Sequence, residues 1–166
     1  MADLLIINNA LPVEQFNPDH CALALLHTDK IPIHLGLISA EKYHSLTIKG
    51  YDQKPWEVLK ALMKKKEINS LFISLNQVHF DSKIVEKHFQ KFSLDDRHTT
   101  CITPICSLLS HHLNFEVKAN VIFDLLSLLA HQNLIGKYYV YPEQQRISLT
   151  KYTQHDVLMY IKNLKT

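Results

Sequence analysis

Glycine is scarce in this chain, with three among 166 residues, so there is little flexible material and no linker-like run. Long apolar stretches are missing as well. The longest, near Val121 to Ala130, is interrupted by Asp124 and falls short of the ~18 residues a spanning helix needs, so no transmembrane segment is expected. There is no excess of one charge: eighteen Lys and Arg stand against sixteen Asp and Glu. That balance gives no reason to expect a nucleic-acid partner or a membrane surface. Cysteine is limited to Cys21, Cys101 and Cys106, an odd set that cannot all pair within one chain. Free thiols in a reducing, cytoplasmic setting are expected rather than a disulfide framework. The opening "MADLLIINNALPVEQF" lacks a basic region before its apolar run and a small-residue cleavage site after it, so no secretory signal is read there. Repeats and low-complexity tracts are absent.

What is present is the composition of a globular protein, 46% apolar and 20% charged, at a length that suits a single domain spanning residues 1–166. Pro12 and Pro18 make the first twenty residues read as irregular. "CALALLH" (21–27) predicts a buried strand, and residues 31–38 and 42–49 predict a hairpin beside it. "KPWEVLKALMKKK" predicts a helix with Pro55 at its first position, "INSLFISL" (68–75) a strand, and "DSKIVEKHFQKF" a helix capped at Asp81 or Ser82. Another helix is expected from the Cys101–Pro104 region. A long one over about 117–133, a hairpin in "KYYVYPEQQRISL" and a short helix from Gln154 complete the chain. The fold class is α+β, a small antiparallel sheet with helices on one face.

Within the predicted hairpin, "IPIHLGLISAEKYHSLTIKG" carries His34 and His44, ten residues apart. Side chains alternate along a strand, so turn length decides whether the two rings share a face. A three-residue turn, Ser39 to Glu41, sets His44 opposite Gly36 and about 7–8 Å diagonally from His34. A two-residue turn sends His44 to the other face. "SAE" lacks the Gly, Asn or Asp that would choose, and the three-residue register is the expectation. Gly36 leaves a strip of sheet on which a helix terminus or a substrate can approach closely.

A histidine needs a nucleophile, and "RHTTCITPICSLLSHHLNF" offers two thiols near a helix start, where unpaired N–H groups and the positive dipole end favour thiolate. Pro104 limits the options. With Cys101 as cap, Pro104 is the third helical residue; with Thr103 as cap, Pro104 is first and Cys106 third. Cys101 is the expected nucleophile and Cys106 the alternative, while Cys21, at the head of an apolar run, is expected to be structural.

The order of these pieces resembles the circularly permuted papain-like superfamily, which includes relatives of bacterial cell-wall endopeptidases and of lecithin–retinol acyltransferase. "HLGL" (34–37) is similar to its His-φ-Gly-φ base motif, "KYHS" (42–45) to its orienting position, and "TCITPICSLL" (100–109) to its nucleophile helix. The likeness covers about 19–113 as a papain-like core and leaves a helix–hairpin–helix extension over about 114–166. Three departures stand out: a hairpin shorter by two residues, Thr100 before the cysteine, and Pro104 in place of an aromatic or apolar residue.

The resemblance implies acyl transfer on an amide or ester, with Cys101 attacking the carbonyl, His34 carrying the proton and His44 holding the imidazole tautomer, without a cofactor or metal. The rival is a papain-like scaffold that has lost its chemistry and binds a protein partner. Zinc is a weaker expectation: there is no His-Glu-x-x-His or paired Cys-x-x-Cys spacing, and His111 and His112 are adjacent on a helix. The helix-then-hairpin of the tail suggests a winged-helix fragment but is not notably basic.

Overall fold

The computed structural model describes residues 3–95 and 97–166, so Met1, Ala2 and Asp96 lie outside it, as does the start of the "MADLLIINNALPVEQF" reading. In chain order the elements are β1 (Leu4–Ile7), β2 (Leu11–Pro12), β3 (Ala22–Leu26), β4 (His34–Ser39), β5 (Lys42–Thr47), β6 (Gly50–Pro55), α1 (Trp56–Lys65), β7 (Ser70–Leu75), α2 (Ser82–Gln90), α3 (Thr103–Leu113), α4 (Ile122–His131), β8 (Ile135–Tyr141), β9 (Ile147–Thr150) and α5 (Gln154–Leu164). The fold is α+β. A seven-stranded sheet runs β2-β8-β7-β3-β4-β5-β6, and β1 pairs with β9 in a separate ribbon. Every pair is antiparallel except β2 with β8.

Helices form where the apolar spacing and local capping agree. In α1, Trp56, Leu59 and Met63 are buried along one stripe, and Lys64 and Lys65 sit in the last turn, where they complement the dipole. Pro55 is the cap of α1 rather than its first helical residue. The Asp81 carboxylate accepts from the Lys83 N–H at the start of α2, whose Val85 and Phe89 are buried. Thr153 and Asp156 close a reciprocal capping box on α5.

Both sheet faces are covered. Leu23, Leu25, Leu35, Leu37 and Leu46 face α2, α3 and α4 in the larger core. Ala22, Ala24, Ile38, Tyr43 and Phe72 face α1 in the smaller one, where Trp56 meets Phe16 and Phe72 at ring separations of 5.1 Å. The one-face expectation holds for α2, α3 and α4. It fails for α1, whose apolar stripe needs a sheet surface of its own.

Three local expectations are corrected. Residues 3–20 are not irregular throughout but carry β1 and β2. "KYYVYPEQQRISL" is not a hairpin: β8 enters the main sheet between β2 and β7, while β9 pairs with β1. The helix expected over 117–133 is Ile122–His131. The tail is therefore not an appendage, since β8 is internal to the sheet and Leu125, Leu129 and Val140 belong to the larger core.

Gly36 serves the core rather than an incoming ligand. The Tyr43 ring lies on it, so an added Cβ meets Tyr43 Cε2 and comes within 2.8 Å of the His44 carbonyl oxygen. Gly36→Ala is expected to cost about 1–3 kcal/mol in urea unfolding, the usual range for overpacking. The same substitution should cost less in a Tyr43→Ala background. Equal costs in the two backgrounds would mean that Tyr43 does not set the limit.

Candidate functional site

Cys101 lies in the turn that leads into α3. The Thr103 N–H donates to the Thr100 carbonyl at 3.1 Å, and the Thr100 N–H donates to Thr103 Oγ1 at 2.9 Å. This reciprocal pair makes Ile102 the cap, between the two arrangements weighed from the sequence, with Pro104 in the first turn. Pro104 has no N–H, and that of Thr103 is already used, so the helix start offers the sulfur fewer donors than expected.

The expected fall in thiol pKa does not occur. Burial pushes Cys101 above its ordinary value, although hydrogen bonds from the main chain of Leu35 and of Cys101 itself oppose it. Only a donor lowers a thiol pKa, so these contacts come from N–H groups. They set the sulfur against the residue that follows His34. Cys106 is driven up to about 11, mainly by burial, and its sulfur lies 3.8 Å from the Ala119 carbonyl oxygen. Cys21 is buried at the head of β3 and is also raised by burial.

His34 opens β4, and both it and Cys101 line one cavity of about 450 Å³. This cavity takes in Leu35 as well as His34, although the two point to opposite faces of the sheet. It lies at the strand end, beyond the last β4–β5 pair, Gly36 with Ser45. The His34 pKa falls to about 4, chiefly through burial and next through His27, with Asp52 acting the other way. At neutral pH the imidazole is therefore uncharged and able to accept a proton. Tyr152 lines the same cavity, and its hydroxyl donates to the Ile33 carbonyl at 3.4 Å, across 119 residues of sequence. Nothing in the sequence pattern marked Tyr152.

His44 is not part of this site. The hairpin pairs Leu37 with His44 and Gly36 with Ser45, so its turn has two residues, Ala40 and Glu41, at φ 49° and 62°. Two central residues at positive φ are the geometry of a tight two-residue hairpin, adopted here without Gly, Asn or Asp. The register moves His44 to the face opposite His34 and removes the orienting role expected of it. His44 is fully buried beside Phe89 and Tyr51, with Nδ1 2.7 Å from the Tyr51 hydroxyl. Its Nε2 has no hydrogen-bond partner among the described residues. Tyr51 belongs to β6, a polar strand the sequence did not reveal.

Among the described residues no three His, Cys, Asp or Glu side chains group to hold a metal. His112 packs edge-on to Phe80 at 5.0 Å, and the His111 ring lies 5.7 Å from that of His88. No described helix is long and apolar enough to cross a membrane. No protein-family model, curated protein or solved structure matches the chain.

Burial, with a smaller contribution from Lys42, holds the His44 pKa down to about 4. A base whose folded pKa is depressed binds more protons when unfolded. Its stabilising contribution is full above pH ~6.5 and is lost as pH falls towards 4. The loss expected for His44 is at most about 3 kcal/mol. Urea unfolding at pH 7 and pH 4.5 should show a smaller pH dependence for His44→Phe than for the parent chain. The same pH dependence in both would remove His44 as a source of acid sensitivity.

Proposed function

We propose that the chain is a thiol-dependent amidase, esterase or acyltransferase in which Cys101 is the nucleophile and His34 the general base. The observation that carries this reading is the one cavity that both residues line, together with the main-chain hydrogen bond that Leu35, the residue after His34, brings to Cys101. The order of His-bearing strand, second strand and Cys-bearing helix, which resembles the permuted papain-like enzymes, supports the same reading. Three free cysteines are in keeping with a reducing, cytoplasmic setting.

The chemistry starts from a neutral pair. As Cys101 Sγ forms its bond to the substrate carbonyl carbon, its proton passes to the free ring nitrogen of His34. The imidazolium then gives that proton to the leaving amine or alkoxide, and the carbon–heteroatom bond breaks to leave a thioester. Water or another acceptor attacks the thioester, His34 takes the acceptor's proton, and the sulfur departs and is reprotonated. N–H groups near the sulfur, those of Leu35 and Cys101, are the available donors for the developing oxyanion, a type of contact worth roughly 10²–10³ in rate.

A second reading, a scaffold that binds a protein partner without catalysis, is favoured by the raised pKa of both helix-start thiols and by the diversion of His44 to the other face.

Single-turnover acylation by an activated ester, followed by intact mass, separates the two. Cys101→Ser is expected to abolish the adduct, Cys106→Ser to leave it, and His34→Ala to slow its formation by about 10²–10⁴. The rate should rise through pH ~4, where His34 loses its proton, and level off above it. An adduct that persists in Cys101→Ser but vanishes in Cys106→Ser would transfer the role to Cys106, and slow acylation indifferent to His34 would favour the scaffold.

A further inference from the structure

We infer that the cavity binds an amphiphile with one unbranched apolar chain and an anionic end group. This names the substrate or product class of the site proposed above and rests on that reading for its chemistry, though binding is measurable without it. At about 450 Å³ the cavity falls within the ~300–1,000 Å³ of small-molecule sites. Its inner wall includes Val157 and Ile161 of α5, which with Val121 form a small apolar cluster.

The rim is apolar as well. Ile31, Ile48, Tyr160 and Leu164 line the cavity while remaining 51%, 41%, 48% and 45% exposed. Isolated exposed apolar side chains need no explanation, but four around one opening form a patch continuous with an apolar interior. A polar or short ligand would leave that surface uncovered, whereas a chain threading the opening would cover it. Charge selects the end group. Lys30 is the only formally charged residue among the described residues lining the cavity, and no described carboxylate lines it. His27 beside it is kept below its ordinary pKa, first by burial and then by Lys30, and so adds no cation at neutral pH. An anionic head therefore has a partner at Lys30, while the nearby carboxylates of Asp29 and Asp52 act on His27 and His34 from outside the lining; a cationic head has no acid in the lining to pair with.

The experiment is isothermal titration calorimetry of the full chain with hexanoate, octanoate, decanoate and dodecanoate below their micellar concentrations, against alcohols and alkylammonium ions of matching length. Affinity is expected to rise about fourfold per methylene until the cavity is full. At each length carboxylates should bind tightest and alkylammonium ions weakest. Ile161→Trp should bring the plateau to shorter chains. Ile48→Asp, at an exposed rim position, should weaken carboxylates more than alcohols of the same length. Affinity independent of length, or alkylammonium ions binding as tightly as carboxylates, would overturn the inference. If length dependence holds but Cys101 is never acylated, the acyl-transfer reading fails and the ligand class stands. If Cys101 is acylated but length has no effect, only the ligand class fails.

Discussion

The two-residue turn at Ala40 and Glu41 governs the organisation of this protein. Because strand side chains alternate with a period of two, that turn assigns every residue of β4 and β5 to one core or the other. It sends Leu35, Leu37, His44 and Leu46 towards α2, α3 and α4, and Ile38 and Tyr43 towards α1. One residue more in the turn would bring His44 to the face of His34 but bury Tyr43 on the wrong side, away from Gly36. The register that the apolar residues require is the one that separates the two histidines. Core packing, not site chemistry, decides the matter.

The candidate site then forms where the regular ladder stops. Beyond the Gly36–Ser45 pair, the cavity opens beside His34, Leu35 and Cys101, with Tyr152 tying its hydroxyl to the Ile33 carbonyl. Burial dominates the electrostatics there. It pushes the thiol up and the imidazole down, so both are neutral near pH 7. A helix-start cysteine commonly has a lowered pKa, but here one first-turn donor is missing at Pro104 and another is bonded to Thr100.

Much of this was legible in the sequence, and the misses have physical causes. β3, β7, α1, α2 and α5 follow from apolar periodicity and from a cap such as Asp81. The turn register was not legible, because Ala40 and Glu41 adopt positive φ without the residues that usually announce it. β6, "GYDQKP", is held by pairing to β5 and has no apolar alternation of its own. The separation of β8 from β9 and the arrival of Tyr152 and α5 at the cavity depend on contacts between distant segments, which local patterning does not encode. His34 and Cys101 stood out in the sequence through the "HLGL" strand motif and the thiol near a helix start, and both line the cavity. The cavity that joins them was not foreseen.

The position of β8 has a consequence for synthesis on the ribosome. β7 ends at Leu75, while the strand that covers its outer edge begins at Ile135. Until that later segment emerges, the nascent chain presents the apolar strand "SLFISL" with one row of backbone donors and acceptors unmatched. Such an edge is a template for pairing with another chain. The interval between translating β7 and β8 is thus the period in which this protein is most exposed to misassembly, and a chaperone that holds strand edges would matter most then.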